Sequence, residues 1–78
     1  MRYLSDGNYE EAILAFTAAI KIDPKCPENY IGRGAAYIGL GETAENLAAA
    51  QADYEKAIEL DSTNMAAYLG LADVYIRL

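Results

Sequence analysis

The residues best suited to chemistry are four carboxylates in the second half of the chain, Asp53, Glu55, Glu59 and Asp61. Clustered carboxylates can bind a divalent cation. A calcium loop, however, places its oxygen ligands at a fixed spacing along a short loop, and these four acids lack that spacing. The pattern therefore favours a solvated acidic face over a cation site.

The other candidates for catalysis are hydroxyl groups, one thiol and a pair of glycines. There is no histidine, so the serines and threonines lack the usual general base of a hydrolytic triad. Cys26 is the single cysteine, which excludes an internal disulfide and a cysteine-based zinc site. Gly32-x-Gly34 lacks the third glycine and the preceding strand of a dinucleotide-binding loop. We therefore expect no enzyme, no metal site and no cofactor.

The composition and net charge of the chain indicate which classes of partner are not expected. The chain has 78 residues and a net charge of −6, and its six basic residues are scattered rather than clustered. Nucleic-acid binding needs a clustered basic face, so it is not expected. No apolar run approaches the ~20 residues of a membrane span, so membrane insertion is not expected either. No signal-peptide pattern begins the chain, which favours a cytoplasmic location.

The elements that carry these residues repeat along the chain. A shift of 38 residues superimposes many similar side chains. The matched pairs are Phe16/Tyr54, Ala19/Ala57, Ile20/Ile58, Ile22/Leu60, Asp23/Asp61, Tyr30/Tyr68, Gly32/Gly70, Tyr37/Tyr75, Ile38/Ile76 and Leu40/Leu78. A shift of 34 adds Tyr3/Tyr37, Leu4/Ile38 and Gly7/Gly41. The chain thus contains three copies of one register, the outer two incomplete.

Each copy has the apolar spacing of amphipathic helices, with apolar residues at i, i+3, i+4 and i+7. Pro24 ends one helix, because the residue before proline is driven out of the helical conformation. Pro27 suits the first turn of the next helix. We predict helices over residues 9–22, 27–39, 43–60 and 65–77, and a short helical segment at 1–5.

Three helix starts are predicted in more detail. Asn8 followed by Glu11 has the spacing of a capping box. The central copy is four residues longer than the 34-residue spacing, with the excess inside Glu42–Asp53. Four residues are close to one helical turn. We therefore predict that Thr43 caps a helix extended by about one turn at its start. In the turn before the last helix, Ser62, Thr63 and Asn64 are all candidate caps.

The copies resemble the tetratricopeptide repeat, whose 34-residue pattern is W-x2-L-G-x2-Y followed by A-x3-F and a proline. The matching positions are Ala12, Phe16, Ala19 and Pro24 in the first copy, Tyr30, Gly34, Tyr37, Ala50, Tyr54 and Ala57 in the second, and Tyr68, Leu71, Ala72 and Tyr75 in the third. Two positions depart from the pattern: Arg33 replaces the leucine, and Ser62 stands where Pro24 predicts a proline.

The resemblance implies an all-α fold in which antiparallel helical hairpins stack as a short right-handed solenoid. We expect a single domain over residues 1–78. It divides into a partial repeat at 1–26, a full repeat with the four-residue insertion at 27–64, and a partial repeat at 65–78. In such repeats small residues let helices approach closely, and the aromatic side chains fill the core between adjacent pairs.

The resemblance also implies a function as a protein–protein interaction module or scaffold. Repeats of this kind bind protein partners on a concave face, which the first helix of each pair lines. At helical spacing the peptide-binding positions are Glu28, Ile31, Ala35, Ile38, Ala66, Leu69, Asp73 and Ile76. Members that grip a chaperone's terminal carboxylate use lysine, arginine and asparagine there, and none of the eight is such a residue. We therefore predict an apolar helix or extended peptide as the ligand, with a basic residue able to meet Glu28 or Asp73, and no carboxylate clamp. Gly32, Gly39 and Gly70 are expected to leave hollows beside this face.

The alternative is a structural fragment of a longer solenoid, or a self-associating unit without a dedicated ligand. The last predicted helix lacks a following helix to pack on, and it would expose Tyr68, Leu71, Tyr75 and Leu78. These residues are the candidate self-association surface. A twofold homodimer is favoured over head-to-tail stacking, because residues 1–5 would compete for part of the head-to-tail contact.

Overall fold

A computed structural model describes residues 8–78, which form four α-helices and no strand. The helices are α1 (Tyr9–Ile22), α2 (Pro27–Leu40), α3 (Ala44–Leu60) and α4 (Met65–Arg77). Each predicted boundary agrees with the structure to within one residue. The predicted helical segment at 1–5, and the residues that the 34-residue shift places there, lie outside the described part of the chain.

Short connections fold the helices against one another. Only residues 23–26, 41–43 and 61–64 separate consecutive helices, so neighbouring helices that pack together must run in opposite directions. The central helix α2 contacts α1, α3 and α4, and α3 contacts α4. The predicted all-α stack of hairpins is confirmed, with α2 and α4 as the first helices of successive pairs.

The starts of the helices differ from one another in their capping. Thr43 has an extended backbone, and its Oγ1 accepts a hydrogen bond from the Asn46 N–H at 3.1 Å. Asn64 caps α4 by accepting from the N–H groups of Ala66 and Ala67. The prediction of a side-chain cap at Asn8 is wrong. Its ψ of 56° departs from the extended conformation that a capping side chain needs, and no side-chain bond forms.

The extra residues of the central copy lengthen α3 at its start. Helix α3 has 17 residues and α1 has 14, and both end at equivalent positions, Leu60 and Ile22. The three added residues of α3 therefore precede the position that matches the start of α1, as predicted. The Asn46 side chain ties this added turn to the preceding loop by donating to the Gly41 carbonyl at 3.0 Å.

Two apolar clusters hold the helices together. One contains Leu47, Ala50 and Tyr54 of α3 with Val74 of α4. The other joins Tyr30 of α2, Ala57 of α3 and Ala67 of α4. Because each cluster includes a residue of α4, the last helix is an integral part of the core.

The aromatic positions of the repeat pattern are buried in the central copy, whereas their equivalents in the last copy are exposed, as expected for the last predicted helix. Tyr30 and Tyr54 are buried, whereas Tyr68 and Tyr75 are exposed, and Ala72 is exposed as well. Within residues 8–78 no helix comes after α4 to cover that face. These three residues are therefore available at the surface.

Candidate functional site

The face expected to contain hollows is instead closed by aromatic rings. A Cβ atom added to Gly70 would overlap the Tyr54 ring, and one added to Gly32 would overlap the Phe16 ring. These pairs are equivalent under the 38-residue shift, so the same ring-on-glycine contact recurs in successive copies. Gly39 is filled in the same way by Tyr9. The prediction of open hollows beside Gly32, Gly39 and Gly70 is therefore wrong, because neighbouring helices use the missing Cβ to approach closely.

A second contact also recurs between copies. The Tyr30 hydroxyl donates to the Pro24 carbonyl at 3.0 Å, and the Tyr68 hydroxyl donates to the Ser62 carbonyl at 2.9 Å. The acceptor is a main-chain oxygen in both turns. Serine can therefore replace the proline of the pattern without loss of this bond.

On α2, two of the proposed peptide-binding side chains pack against the core. Ile31 packs against both apolar clusters, and Ile38 packs against the cluster that contains Val74. Ala35 is half-buried and Glu28 is exposed. Ile31 and Ile38 are thus partly buried, so only part of each side chain is accessible, and their role in peptide binding stays a prediction.

On α4, the equivalent positions are open. Leu69 is 65% exposed and Ile76 is 82% exposed, and Ala66 is exposed as well. Leu69 and Ile76 match Ile31 and Ile38 under the 38-residue shift. The accessible apolar part of the candidate surface therefore lies on α4 rather than on both helices.

Asp73, between these apolar residues, already has a partner. Its Oδ2 accepts from Arg77 Nε at 3.0 Å, and Arg77 also pairs with Glu42 in the α2–α3 loop. The hydrogen bond that Arg77 donates to Asp73 raises the pKa of the Arg77 guanidinium, and the charge of Glu42 raises it further. Asp73 is thus engaged within the chain, which weakens the prediction that it meets a basic residue of the ligand and leaves Glu28 as the more accessible acid.

The candidate self-association residues do not all share one environment. Tyr68, Tyr75 and Leu78 are exposed, with Tyr75 at 55%. Leu71 is partly buried against the cluster of Leu47, Ala50, Tyr54 and Val74. Three of the four positions are therefore surface groups, and Leu71 mainly attaches α4 to the core.

The sequence analysis did not predict a buried ion pair that the structure contains. Asp53 is buried, and its Oδ1 and Oδ2 accept from Arg33 Nη2 at 2.7 Å and Arg33 Nε at 2.9 Å. Arg33 Nη1 also donates to Thr17 Oγ1 at 3.2 Å, so the network joins α1, α2 and α3. The hydrogen bond to Asp53 raises the pKa of the Arg33 guanidinium. Asp53 is therefore no part of a solvated acidic face.

The sequence contained a signal for this burial. Asp53 lies three residues after Ala50 and four before Ala57, which places it on the apolar stripe of α3 that faces α2. Arg33 meanwhile occupies the leucine position of the repeat pattern on α2. Two opposite charges at inward-facing positions of adjacent helices would have indicated the pair.

The remaining acids near the end of α3 face the surface. Glu59 accepts from Lys56 Nζ at 2.8 Å, which lowers the pKa of Glu59, and Glu55 accepts from Gln51 at 3.2 Å. Across the described part of the chain, no three metal-ligating side chains cluster. None of the helices formed by residues 8–78 is both long enough and apolar enough to cross a bilayer.

The comparisons with known proteins agree with the repeat register. The family described as TPR repeat matches residues 2–41, and the one described as tetratricopeptide repeat matches residues 42–78. Among curated relatives, heat shock protein STI1 of Saccharomyces cerevisiae is 37% identical over 73 residues, 94% of this chain and 12% of that protein. The protein SGT1 homolog of Oryza sativa is 41% identical over 73 residues, 94% of this chain and 19% of its own length. The peroxisomal targeting signal receptor of Komagataella phaffii is 38% identical over 78 residues, 99% of this chain and 13% of that protein.

The chain thus spans less than a fifth of the length of each of these relatives. No solved structure matches it significantly. The two family matches nonetheless cover residues 2–78 without a gap. The helices, the ring-on-glycine contacts and the repeated turns share the same register. The chain belongs to the tetratricopeptide repeat family, whose repeats are protein–protein interaction modules.

Proposed function

We propose that this module binds an apolar peptide segment along α4, on a surface formed by Ala66, Leu69 and Ile76 and bordered by Glu28 and Ala35 of α2. The observation that carries the proposal is the contrast between equivalent positions. Ile31 and Ile38 are partly buried against the core, whereas Leu69 and Ile76 are exposed. Exposed apolar side chains that recur along one helix face are typical of interaction sites.

The geometry of α4 defines the ligand's spacing. Leu69 and Ile76 are seven residues apart, or about 10 Å along the helix axis. A helical peptide spans that distance on one face between residues i and i+7, and a polyproline II segment spans about 9 Å on one face between i and i+3. The ligand we propose therefore carries two apolar side chains about 10 Å apart.

Charge favours a neutral or basic ligand. The chain has a net charge of −6, and Glu28 lies exposed at the border of the surface. Arg77, the basic residue of α4, already pairs with Asp73 and Glu42. A ligand carboxylate would have to compete with both of those acids, so recognition through a terminal carboxylate is not part of the proposal.

Peptide selection followed by mutation tests the proposal. A phage-displayed library of short peptides is selected on the 78-residue chain, and the selected peptides are synthesised with a fluorescent label and titrated by anisotropy. Leu69→Asp and Ile76→Asp should each weaken binding by at least about tenfold, because an unpaired charge replaces an apolar contact. Leu14→Asp is the matched control, since Leu14 is an exposed leucine of α1 outside the surface.

Three outcomes would contradict the proposal. The library yields no binding peptide, or Leu69→Asp leaves the affinity unchanged, or Leu14→Asp weakens binding as much as Leu69→Asp does. Ile31→Asp is unsuitable as a test, because Ile31 packs against both apolar clusters and a charge there would unfold the domain.

A second candidate function, a structural or self-associating unit, is favoured by a different observation. Tyr30 is 7% exposed, but its equivalent Tyr68 is 44% exposed. In α2 this position is covered by the following helix α3. A further helix, from the same or another chain, would complete the equivalent contact on α4.

A further inference from the structure

Helices α2 and α4 are similar enough to compete for the same places beside α3. Under the 38-residue shift they carry the same residue type at Tyr30 and Tyr68, at Gly32 and Gly70, and at Tyr37 and Tyr75. The loops on either side of α3, residues 41–43 and 61–64, are both short. An exchange of α2 and α4 around α3 would therefore keep both hairpins but reverse the hand of the stack, which is the usual alternative fold of a symmetric helical bundle.

Arg33 and Leu71 are an equivalent pair in which the two helices differ in charge. Arg33 of α2 binds both carboxylate oxygens of Asp53 through Nε and Nη2, and its Nη1 donates to Thr17 Oγ1 of α1. Leu71 of α4 instead packs against the apolar cluster that contains Val74. Helix α3 thus presents a carboxylate to α2 and an apolar surface to α4.

We propose that the ion pair of Arg33 and Asp53 specifies which of the two helices packs on each side of α3, and thereby the hand of the stack. The exchanged arrangement would place Leu71 beside Asp53 and Arg33 against the apolar cluster. Both charges would then lie against apolar side chains without a partner, which is strongly unfavourable. In the observed fold, by contrast, every buried side-chain nitrogen or oxygen within residues 8–78 has a hydrogen-bond partner.

The two charges match each other at one level of the stack. In the first copy the position of Asp53 is taken by Ala15, and in the last copy the position of Arg33 is taken by Leu71. The pair is therefore complete only between the two helices of the central copy. Its two parallel hydrogen bonds also fix the rotation of α2 against α3, because a guanidinium binds a carboxylate in this way only in a narrow geometry.

Stability alone does not account for this pair. An apolar pair of similar volume is often as stable as a buried ion pair, and leucine is what the repeat pattern places at position 33. Two apolar residues at positions 33 and 53 would, however, leave α2 and α4 without a difference in charge at this contact. Single polar residues at apolar helix contacts specify register in coiled coils by the same principle.

Nuclear magnetic resonance of a variant without the pair gives the first test. The chain has six glycines, so a single conformation of the ¹⁵N-glycine-labelled protein gives six amide signals. Arg33→Leu/Asp53→Leu should fold but show a second set of signals, with the minor arrangement populated to about 10%. The two arrangements interconvert only when the helices separate, so their signals are in slow exchange and are counted separately.

A matched control removes an exposed ion pair of α3. Lys56→Ala/Glu59→Ala breaks the bond between two surface side chains and should keep six signals. Six signals alone in Arg33→Leu/Asp53→Leu, or a second set of equal intensity in the control, would overturn the proposal. If the leucine variant does not fold, Arg33→Gln/Asp53→Asn, which removes the charges but keeps hydrogen-bonding groups, is judged by the same criteria.

Contacts of the Tyr54 ring give the second test, because they report which helix lies on which side. In the observed fold this ring lies against Gly34 and Gly70. In the exchanged arrangement it would lie against Gly32, the equivalent of Gly70. Nuclear Overhauser effects from Tyr54 to Gly32 in the second set are expected, whereas contacts to Gly34 and Gly70 in both sets would refute the exchange. Neither measurement uses a peptide ligand, so its outcome is independent of the proposed peptide surface.

Discussion

The substitution Arg33→Leu gives the sharpest test of how this fold differs from its repeat pattern. Leucine is the residue that the tetratricopeptide pattern places at this position, so reasoning from the pattern alone predicts that the change stabilises the protein. The structure predicts the opposite sign. Arg33 Nε and Nη2 bind both oxygens of the buried Asp53, and leucine would leave that carboxylate without its partner.

The magnitude depends on the exposure of the pair. Removing one partner of a fully buried ion pair costs about 3–5 kcal/mol. The Arg33 side chain is 20% exposed and that of Asp53 is 7% exposed, so water can partly replace the lost guanidinium, and we expect about 2–3 kcal/mol. A domain of this size has a total stability of only about 4–12 kcal/mol. Arg33→Leu should therefore remove a large fraction of it.

Urea unfolding followed by circular dichroism at 222 nm measures the effect. Asp53→Leu alone should cost less than Arg33→Leu, about 1–2 kcal/mol, because the longer arginine can turn its charge towards solvent. The double variant should be more stable than Arg33→Leu alone, since apolar pairs can replace buried ion pairs at little cost. Arg33→Leu as stable as the wild type, or a double-mutant cycle with no coupling, would refute the reasoning.

Three further predictions concern local features. Thr43→Ala should lower the free energy of unfolding by about 1 kcal/mol and Asn8→Ala by close to zero, because Thr43 makes a side-chain cap bond and Asn8 does not. Urea unfolding of both variants checks this contrast. Gly70→Ala should destabilise the fold by about 1–3 kcal/mol, because the new Cβ would overlap the Tyr54 ring. At an open helix position the same change stabilises a protein by ~0.5–1 kcal/mol. A raised melting temperature for Gly70→Ala would contradict this prediction. Burial raises the pKa of Tyr54, so the folded state favours the neutral phenol. The contribution of this group to the stability of the protein is full below the ordinary tyrosine pKa near 10. It declines as the pH rises through the higher pKa of Tyr54 in the folded state. Tyr54→Phe should lessen this loss of stability at alkaline pH, and Tyr75→Phe, at an exposed site, serves as the control. Equal midpoints of alkaline unfolding for Tyr54→Phe and the wild type would count against the mechanism.

The helices and their order could be predicted from the sequence because strong local signals coincide with the repeat. Pro24 and Pro27 mark the turn between α1 and α2, and the cap at Thr43 agrees with the added turn of α3. Asn8 shows the limit of such signals. Its residue type and its spacing to Glu11 suit a capping box, but the cap depends on a backbone angle that sequence does not specify.

The candidate surface was harder to predict because equivalent positions in a repeat do not share an environment. Ile31 and Leu69 occupy the same register position, yet Ile31 is partly buried against the core and Leu69 is exposed. The difference arises from the helices that pack around Ile31, since none of the helices in residues 8–78 packs over Leu69, rather than from the two residues themselves. A pattern that treats the copies alike therefore assigns both residues to the groove.

Helix α4 carries the proposed peptide surface. Its inner residues Ala67 and Val74 are fully buried and fix it to the core, so its outer residues are presented on a rigid support. The proposed peptide surface is the counterpart of the part of α2 that packs against the core, because Leu69 and Ile76 are the exposed equivalents of the partly buried Ile31 and Ile38. A ligand at this surface would bury side chains that an ordered helix already holds in place, which lowers the entropic cost of association. The spacing of Leu69 and Ile76, about 10 Å along the axis, is then the feature that selects the ligand.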